Sequence, residues 1–289
     1  MSKIVPHLWF DTQAKAAAEF YVSVFPNSQV NSVNVIKNTP SGDCDIVNFT
    51  LAGQKFMSIS AGPLFKFTPA NSFTATCATA EEAAELYKKL SAGGKELMPF
   101  QEYPWSKGYG WCNDQHGLSW QVNTGGEGGK IIPSLMFTGE QFGKVEEALN
   151  FYTAVFKNSE IKAVAKYEAG EGDVEGKVKY SLSNLEGQPF IMMESSAEHG
   201  FTFSEAVSFI INCADQAEVD YYWDKLSAVP ESEQCGWLKD KYGLSWQVVP
   251  KQLGELMSKG TPEQAAKVTQ AFLKMKKFDI AGLEQAFNG

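Results

Sequence analysis

The chain has 289 residues, 44% of them hydrophobic and 20% charged, with a formal charge of −9 and a pI near 5.0. That length suits two domains, each with a core of its own, and the composition is that of a folded globular protein. The acidic balance, without any cluster of Lys and Arg, excludes a nucleic-acid partner, because phosphate binding needs grouped cations that release counterions.

The amino terminus, MSKIVPHLWF, passes directly into strand-like sequence. It lacks a basic segment followed by an apolar one, and no window approaches ~18 uninterrupted apolar residues. No secretion signal and no membrane partner are therefore expected, and the expected compartment is the cytoplasm.

A first strand is expected from Pro6 to Phe10, starting at a proline where the missing amide costs least. Ala14, Ala17, Ala18, Tyr21, Val24 and Phe25 then recur at helical spacing. Pro26-Asn27-Ser28 supplies a turn. Val47, Phe49 and Leu51 alternate as one face of a strand, Leu51-Ala52-Gly53-Gln54 makes a hairpin, and Phe56 to Ser60 returns. The order is β-α-β-β-β. A strand from Ser72 to Cys77 opens a second unit of the same kind. Thr79 and Glu82 begin its helix as a capping box ahead of Ala83, Leu86, Tyr87 and Leu90. Strands near Gly110 to Cys112 and Leu118 to Val122 close it.

Thr124 to Lys130, TGGEGGK, is glycine-rich and reads as a flexible linker. It is not a phosphate loop, because a strand follows it and neither nucleotide-binding spacing is met.

The first half then repeats. Gly117-Leu118-Ser119-Trp120-Gln121-Val122 recurs unchanged as Gly243-Leu244-Ser245-Trp246-Gln247-Val248. The helix face recurs as Val145, Ala148, Leu149, Tyr152, Val155 and Phe156, after a strand from Pro133 to Phe137 and before a turn at Lys157-Asn158-Ser159. Val178, Tyr180 and Leu182 are read as the counterpart of Val47, Phe49 and Leu51. The hairpin Leu185-Glu186-Gly187-Gln188 and a strand from Phe190 to Glu194 follow. A strand from Ser208 to Cys213 precedes a helix with Asp215 and Glu218 at the capping positions. The stretch between that helix and the final strands is shorter than in the first half, so one strand or loop is reduced there.

Residues 251–289 have no counterpart and read as helices: one ends at Gly260, one starts at Thr261-Pro262 with Gln264 at the box position, and the last is capped by Asp279. The expected organisation is α+β, with four tandem βαβββ modules paired into two domains, residues 1–125 and 131–250, joined by a linker at 126–130 and extended by helices at 251–289. Five cysteines, odd in number and without a C-x-x-C pair, read as buried thiols.

Four such modules, opening at IVPHLWF and IIPSLMF and closing at WCNDQHGLSWQV and WLKDKYGLSWQV, resemble the vicinal oxygen chelate superfamily, that of glyoxalases and bleomycin-resistance proteins. FYVSVFPNS, GWLKDKYGLSWQVVP and MKKFDIAGLEQAF are similar to its PhnB-like branch, which carries the label of a demethylubiquinone methyltransferase. The resemblance implies curved sheets that form cups, each able to hold a divalent ion that chelates vicinal oxygens of a substrate. Residue by residue, it points to His7, Ser72 and Gln121 as the metal candidates of the first half, and to Ser134, Ser208 and Gln247 at the same places in the second, with Glu194 beside them as the counterpart of Ser60. Neither half has a His-His-Glu set, so a divalent cofactor is expected only as a weak site at His7 and Gln121 completed by Ser72 or Ser60. His116 and His199 read as packing residues.

Trp9, Phe56, Phe73, Trp111 and Trp120 are the aromatic candidates to line the first cup. Met136, Met192, Phe209, Trp237 and Trp246 are those for the second. The expected function is binding of a small apolar or planar molecule without catalysis. A metal-dependent glyoxalase, dioxygenase or isomerase is the alternative, and a methyltransferase is disfavoured because no glycine loop between strand and helix is present to hold its cofactor. The sheet backs and the helical tail also offer surfaces for a homo-oligomer.

Overall fold

A computed structural model describes residues 2–39, 42–125 and 128–289. The first module is β1 (Ile4–Phe10), α1 (Ala14–Val24), β2 (Gln29–Thr39), β3 (Gly42–Leu51) and β4 (Gln54–Ser60). The second is β5 (Asn71–Cys77), α2 (Ala80–Ser91), β6 (Lys95–Tyr103), β7 (Ser106–Asn113) and β8 (Ser119–Thr124). The third is β9 (Lys130–Phe137), α3 (Val145–Val155), β10 (Glu160–Lys166), β11 (Val178–Leu185) and β12 (Gln188–Glu194). The fourth is β13 (Val207–Cys213), α4 (Gln216–Leu226), β14 (Trp237–Lys239) and β15 (Ser245–Pro250), followed by α5 (Lys251–Lys259), α6 (Pro262–Phe272) and α7 (Ile280–Asn288). Residues 126 and 127 of the expected linker lie outside the described residues; Thr124 ends β8 and Lys130 already starts β9.

The modules do not share sheets in sequence order. One sheet, A, runs β14-β15-β13-β1-β4-β3-β2 and joins the first module to the fourth. The other, B, runs β10-β11-β12-β9-β5-β8-β7-β6 and joins the second to the third. The joints are antiparallel, with His7 opposite Ser208 and Ser72 opposite Ser134. On the helix side of the sheets, within one continuous cluster, the Trp of each repeat packs on the opening helix of its own half. Trp120 packs 5.5 Å from Tyr21 and 5.1 Å from Phe25, and Trp246 packs 5.7 Å from Tyr152 and 5.2 Å from Phe156.

The strands begin two or three residues before the prolines expected to open them. Pro6 pairs with Phe209, and pairing of β1 with β4 begins only at His7, so the missing amide points where no partner strand yet runs. Pro133 repeats this, since β9 meets β12 first at Ser134. Both hairpins put two successive residues at positive φ, Ala52 and Gly53 in one and Glu186 and Gly187 in the other, the tight turn whose twist matches the strands.

Capping follows the expected pattern with one correction. Thr79 and Asp215 accept the amides of Glu82 and Glu218, and Thr261 with Gln264 closes a full capping box. Asp279 occupies its N-cap position without a side-chain bond.

A second correction concerns β11. Opposite Ala165 and Lys166 it presents Tyr180 and Val178, so Lys179 is an extra residue, a bulge that reverses the alternation. Val178 is buried against the helices, whereas Tyr180 is 39% exposed on the other face with Leu182. Ser181 and Ser183, not Tyr180 and Leu182, take the places of Val47 and Phe49.

Among the described residues no helix is long and apolar enough to cross a membrane.

Candidate functional site

Side chains alternate across each strand, so a single residue of each pair faces the helices and the other faces the cup. On β1 the helix face takes Ile4, Leu8 and Phe10, leaving His7 and Trp9 for the cup. On β13 and β15 the helix face takes Phe209, Trp246 and Val248, leaving Ser208 and Gln247. Trp237 lies opposite Gln247 and shares its face. Sheet A therefore assembles His7, Ser208, Gln247, Trp9 and Trp237, from the two ends of the repeated sequence, onto four neighbouring strands.

The polar centre of this cup is a short chain of contacts. Gln247 Nε2 donates to Ser208 Oγ at 2.9 Å, and Ser208 Oγ lies 3.4 Å from His7 Nδ1. His7 Nε2 and Gln247 Oε1 make no hydrogen bond among the described residues. Burial lowers the His7 pKa to about 3, so the imidazole is neutral. Aromatic rings surround it: Trp237 meets the His7 ring edge-on at 5.3 Å, Trp9 lies 6.0 Å from Trp237, and Phe65 lies 5.0 Å from Trp9. Trp9, Phe65 and Trp237 are each half-buried, and the Trp9 indole is fixed by a 2.8 Å bond to the Gly62 carbonyl.

The equivalent positions of sheet B are Ser134, Ser72 and Gln121, and there the polar groups satisfy one another. Gln121 Nε2 donates to Ser72 Oγ at 2.9 Å and its Oε1 accepts from the Tyr109 hydroxyl at 2.9 Å. Ser134 Oγ and Thr74 Oγ1 are 2.6 Å apart. Trp111 also lies on this face, its indole bonded to Ser119 at 2.8 Å. Tyr103, Trp105 and Tyr109 form an aromatic group beside it, with Trp105 64% exposed.

The set His7, Ser72 and Gln121 is thus not brought together: His7 belongs to sheet A, and Ser72 and Gln121 to sheet B. The cause is the crosswise pairing of modules, which puts the fourth module, rather than the second, beside the first. Phe56, Phe73, Trp120 and Trp246 point away from the cups into the helix-side core, all at or below 2% exposure, as do Met192 and Phe209. Glu194 also faces the helices, where its Oε1 accepts the Val178 amide at 2.6 Å. Of the aromatic candidates, Trp9, Trp111 and Trp237 reach a cup, together with Met136. Phe65, Tyr109 and Tyr180 were not anticipated, the first because it sits in a loop and the last because of the bulge.

Neither trio fits a divalent ion. The trio of sheet A offers one imidazole, one hydroxyl and an amide whose nitrogen faces that hydroxyl; the trio of sheet B, two hydroxyls and an amide, offers neither imidazole nor carboxylate. Among the described residues no three His, Cys, Asp or Glu side chains converge to hold a metal.

The repeated hexapeptide has a structural task instead. Asp240 Oδ1 accepts the amides of Tyr242 and Leu244, while Oδ2 accepts the Trp246 indole at 2.8 Å and the Tyr152 hydroxyl at 2.7 Å. Asp114 holds His116, Leu118 and Trp120 in the same way. Burial raises both carboxyl pKa values, against these donors, which lower them. The signal was present as an Asp three residues ahead of each Gly-Leu-Ser-Trp. His116 packs among Phe10, Phe20 and Tyr21, and His199 stacks near Phe201.

The paired βαβββ modules and their cups define a glyoxalase-like protein of the vicinal oxygen chelate superfamily. Glyoxalase I from Zea mays, at 12% identity, superposes with a TM-score of 0.52 over 88% of this chain and 96% of its own, a likeness of fold. The profile of the 3-demethylubiquinone-9 3-methyltransferase family matches residues 2–123 and again 129–249, and the chain belongs to that family, the PhnB-like branch of the superfamily. The PhnB protein of Bacillus cereus is 39% identical over 42% of this chain and 98% of its own, with a TM-score of 0.40. Comparison with curated proteins finds no match.

Proposed function

We propose that this protein binds a small, planar, largely apolar molecule in the cup of sheet A, and that it does so without metal catalysis. The observation that carries the reading is the contrast between the two cups. In sheet B the polar positions are bonded to one another, whereas in sheet A His7 Nε2 and Gln247 Oε1 remain unbonded beneath the half-buried rings of Trp9, Phe65 and Trp237. Apolar walls with a few convergent polar groups are the usual make-up of a small-molecule site. Donor sets without a carboxylate argue against a Lewis-acid mechanism.

The family's description names a methyl transfer to 3-demethylubiquinone-9. A quinone is of the planar, apolar class that suits this cup. A methyl donor would need a second site, and the glycine-rich stretch, the one candidate to cradle it, leads from β8 into β9 rather than into a helix. We place the protein's work in the cytoplasm.

The test is isothermal calorimetry with a panel of naphthalene derivatives. One site per chain is expected, weakened at least about tenfold by Trp237→Ala through loss of a stacked ring and unchanged by Trp105→Ala beside the other cup. Equal losses from both variants, or no heat from any compound, would overturn the assignment.

A further inference from the structure

The bonding pattern around Ser208 bears on the kind of molecule the cup takes, an assignment that rests on the reading of sheet A as the binding site. Ser208 has one hydroxyl proton and two acceptor sites. Gln247 Nε2 occupies an acceptor site at 2.9 Å, and the other hydrogen-bond partner of this hydroxyl among the described residues is His7 Nδ1 at 3.4 Å. If the Ser208 proton goes to Nδ1, the single proton of the neutral imidazole sits on Nε2, and the ring presents a donor to the cup. The same bond from Gln247 to Ser208 turns the amide so that its carbonyl oxygen, an acceptor, faces the cup. One donor and one acceptor then face the same cup from β1 and β15, with β13 between them.

A group that satisfies both at once must accept from one and donate to the other. We propose that the cup of sheet A selects an uncharged planar molecule bearing a hydroxyl group, which accepts from His7 Nε2–H and donates to Gln247 Oε1 while its ring lies among Trp9, Phe65 and Trp237. A methyl ether could accept but not donate, leaving the buried carbonyl of Gln247 unpaired; removing one partner of a buried polar group costs more than the bond itself contributes. A carboxylate would bring a second set of lone pairs against Gln247 Oε1 and a charge into a pocket whose imidazole is neutral. Neither would be matched. Lys239, a cation on this face, is held in an ion pair with Glu205. His7 and Gln247 are therefore specificity-determining residues, and Ser208 is the residue that orients both.

The two cups differ at the residue that makes this possible. In sheet B, Tyr109 donates to the amide oxygen of Gln121 and fills the place a ligand hydroxyl would take. In the fourth module the matching position is Cys235, which bonds its backbone amide to the Met275 carbonyl at the sheet edge and leaves Gln247 Oε1 free.

The experiment is calorimetric titration of the full chain with 2-naphthol, 2-methoxynaphthalene and 2-naphthoate at neutral pH. The expected order is 2-naphthol about tenfold tighter than its methyl ether, the size expected when the ligand gains a hydrogen bond and relieves an unpaired carbonyl, with 2-naphthoate weakest. Gln247→Leu, which removes the carbonyl that only naphthol can satisfy, should abolish the preference for naphthol over the ether, whereas His7→Leu, which removes a donor both compounds use, should weaken both and keep the preference; an unchanged near-ultraviolet circular dichroism spectrum shows that each variant is folded. Equal binding of naphthol and ether by the natural chain overturns the hydroxyl assignment and leaves the cup reading standing. Tighter binding of 2-naphthoate overturns it as well. Absence of binding by all three compounds overturns both.

Discussion

At the residue scale, two kinds of polar group are buried and they respond to opposite tests. Asp240 and Asp114 are tied into the framework, each with its indole partner from the repeated Gly-Leu-Ser-Trp. Trp246→Phe keeps most of the apolar bulk but leaves Asp240 one donor short, and a buried acceptor losing a partner costs about 1–3 kcal/mol. We expect a loss of about 2 kcal/mol by urea denaturation, with ligand binding in the cup unchanged, because Trp246 faces the helices. His7 behaves differently. Its pKa is about 3 in the folded chain against 6.5 for a free imidazole, so the unfolded chain binds the proton first as the pH falls. Its stabilising contribution is complete above pH 6.5 and declines as the pH drops toward 3. Stability of the natural chain measured against His7→Leu should therefore be independent of pH above neutrality and fall away progressively in acid; a difference that stayed constant across that window would show that His7 takes up its proton without unfolding.

At the element scale, the fourth module lacks a counterpart of β6, and the tail replaces it. Met275 and Lys276 accept the amides of Cys235 and Gly236 at 2.8 and 2.7 Å, bonds that an outer strand would otherwise make. An unpaired sheet edge is thereby covered. The tail's apolar cluster, with Val268, Phe272, Phe278 and Leu283 at its centre, also touches Val249 on β15, next to the β14 edge of sheet A, and Ile36 on β2, its opposite edge. Gly236 has φ +82°, and a Cβ there would stand 2.4 Å from the Phe278 ring. Gly236→Ala is expected to loosen the strap, seen as faster hydrogen exchange and protease cleavage in residues 262–289, while the sheets keep their protection. The sequence announced much of this level. The helices, their capping residues and the shortened loop were legible because each leaves a local signature in spacing or residue type. What could not be read was the occupant of the vacant edge, which is a contact between residues some 40 positions apart, and the face of β11, because the single inserted Lys179 reverses a period-two pattern without changing its composition.

At the scale of the molecule, the same limit decided which residues meet. The repeat revealed four modules and the strand positions that face a cup, so His7, Gln247 and Trp237 were all found, but a repeat says nothing about which module adjoins which. Both pairings bury similar faces, and only the joints β1–β13 and β5–β9 distinguish them. These joints carry a prediction of their own. A fragment of residues 1–125 retains its helix-side core around Trp120, yet it exposes β1 and β5, which in the full chain pair with β13 and β9. Because β13 is the repeat of β5 and β9 of β1, a second copy of the fragment offers each exposed strand a near-equivalent partner, and bare edges of this length favour pairing. The fragment should then form a twofold dimer in which β1 of one copy pairs with β5 of the other, observed by light scattering. Addition of a fragment of residues 128–289 should convert it to a heterodimer, in which the natural joints and the cup of His7, Ser208 and Gln247 are restored. A fragment that remained monomeric and folded would show that the helix-side core alone suffices and that the shared sheets add no stability to either half.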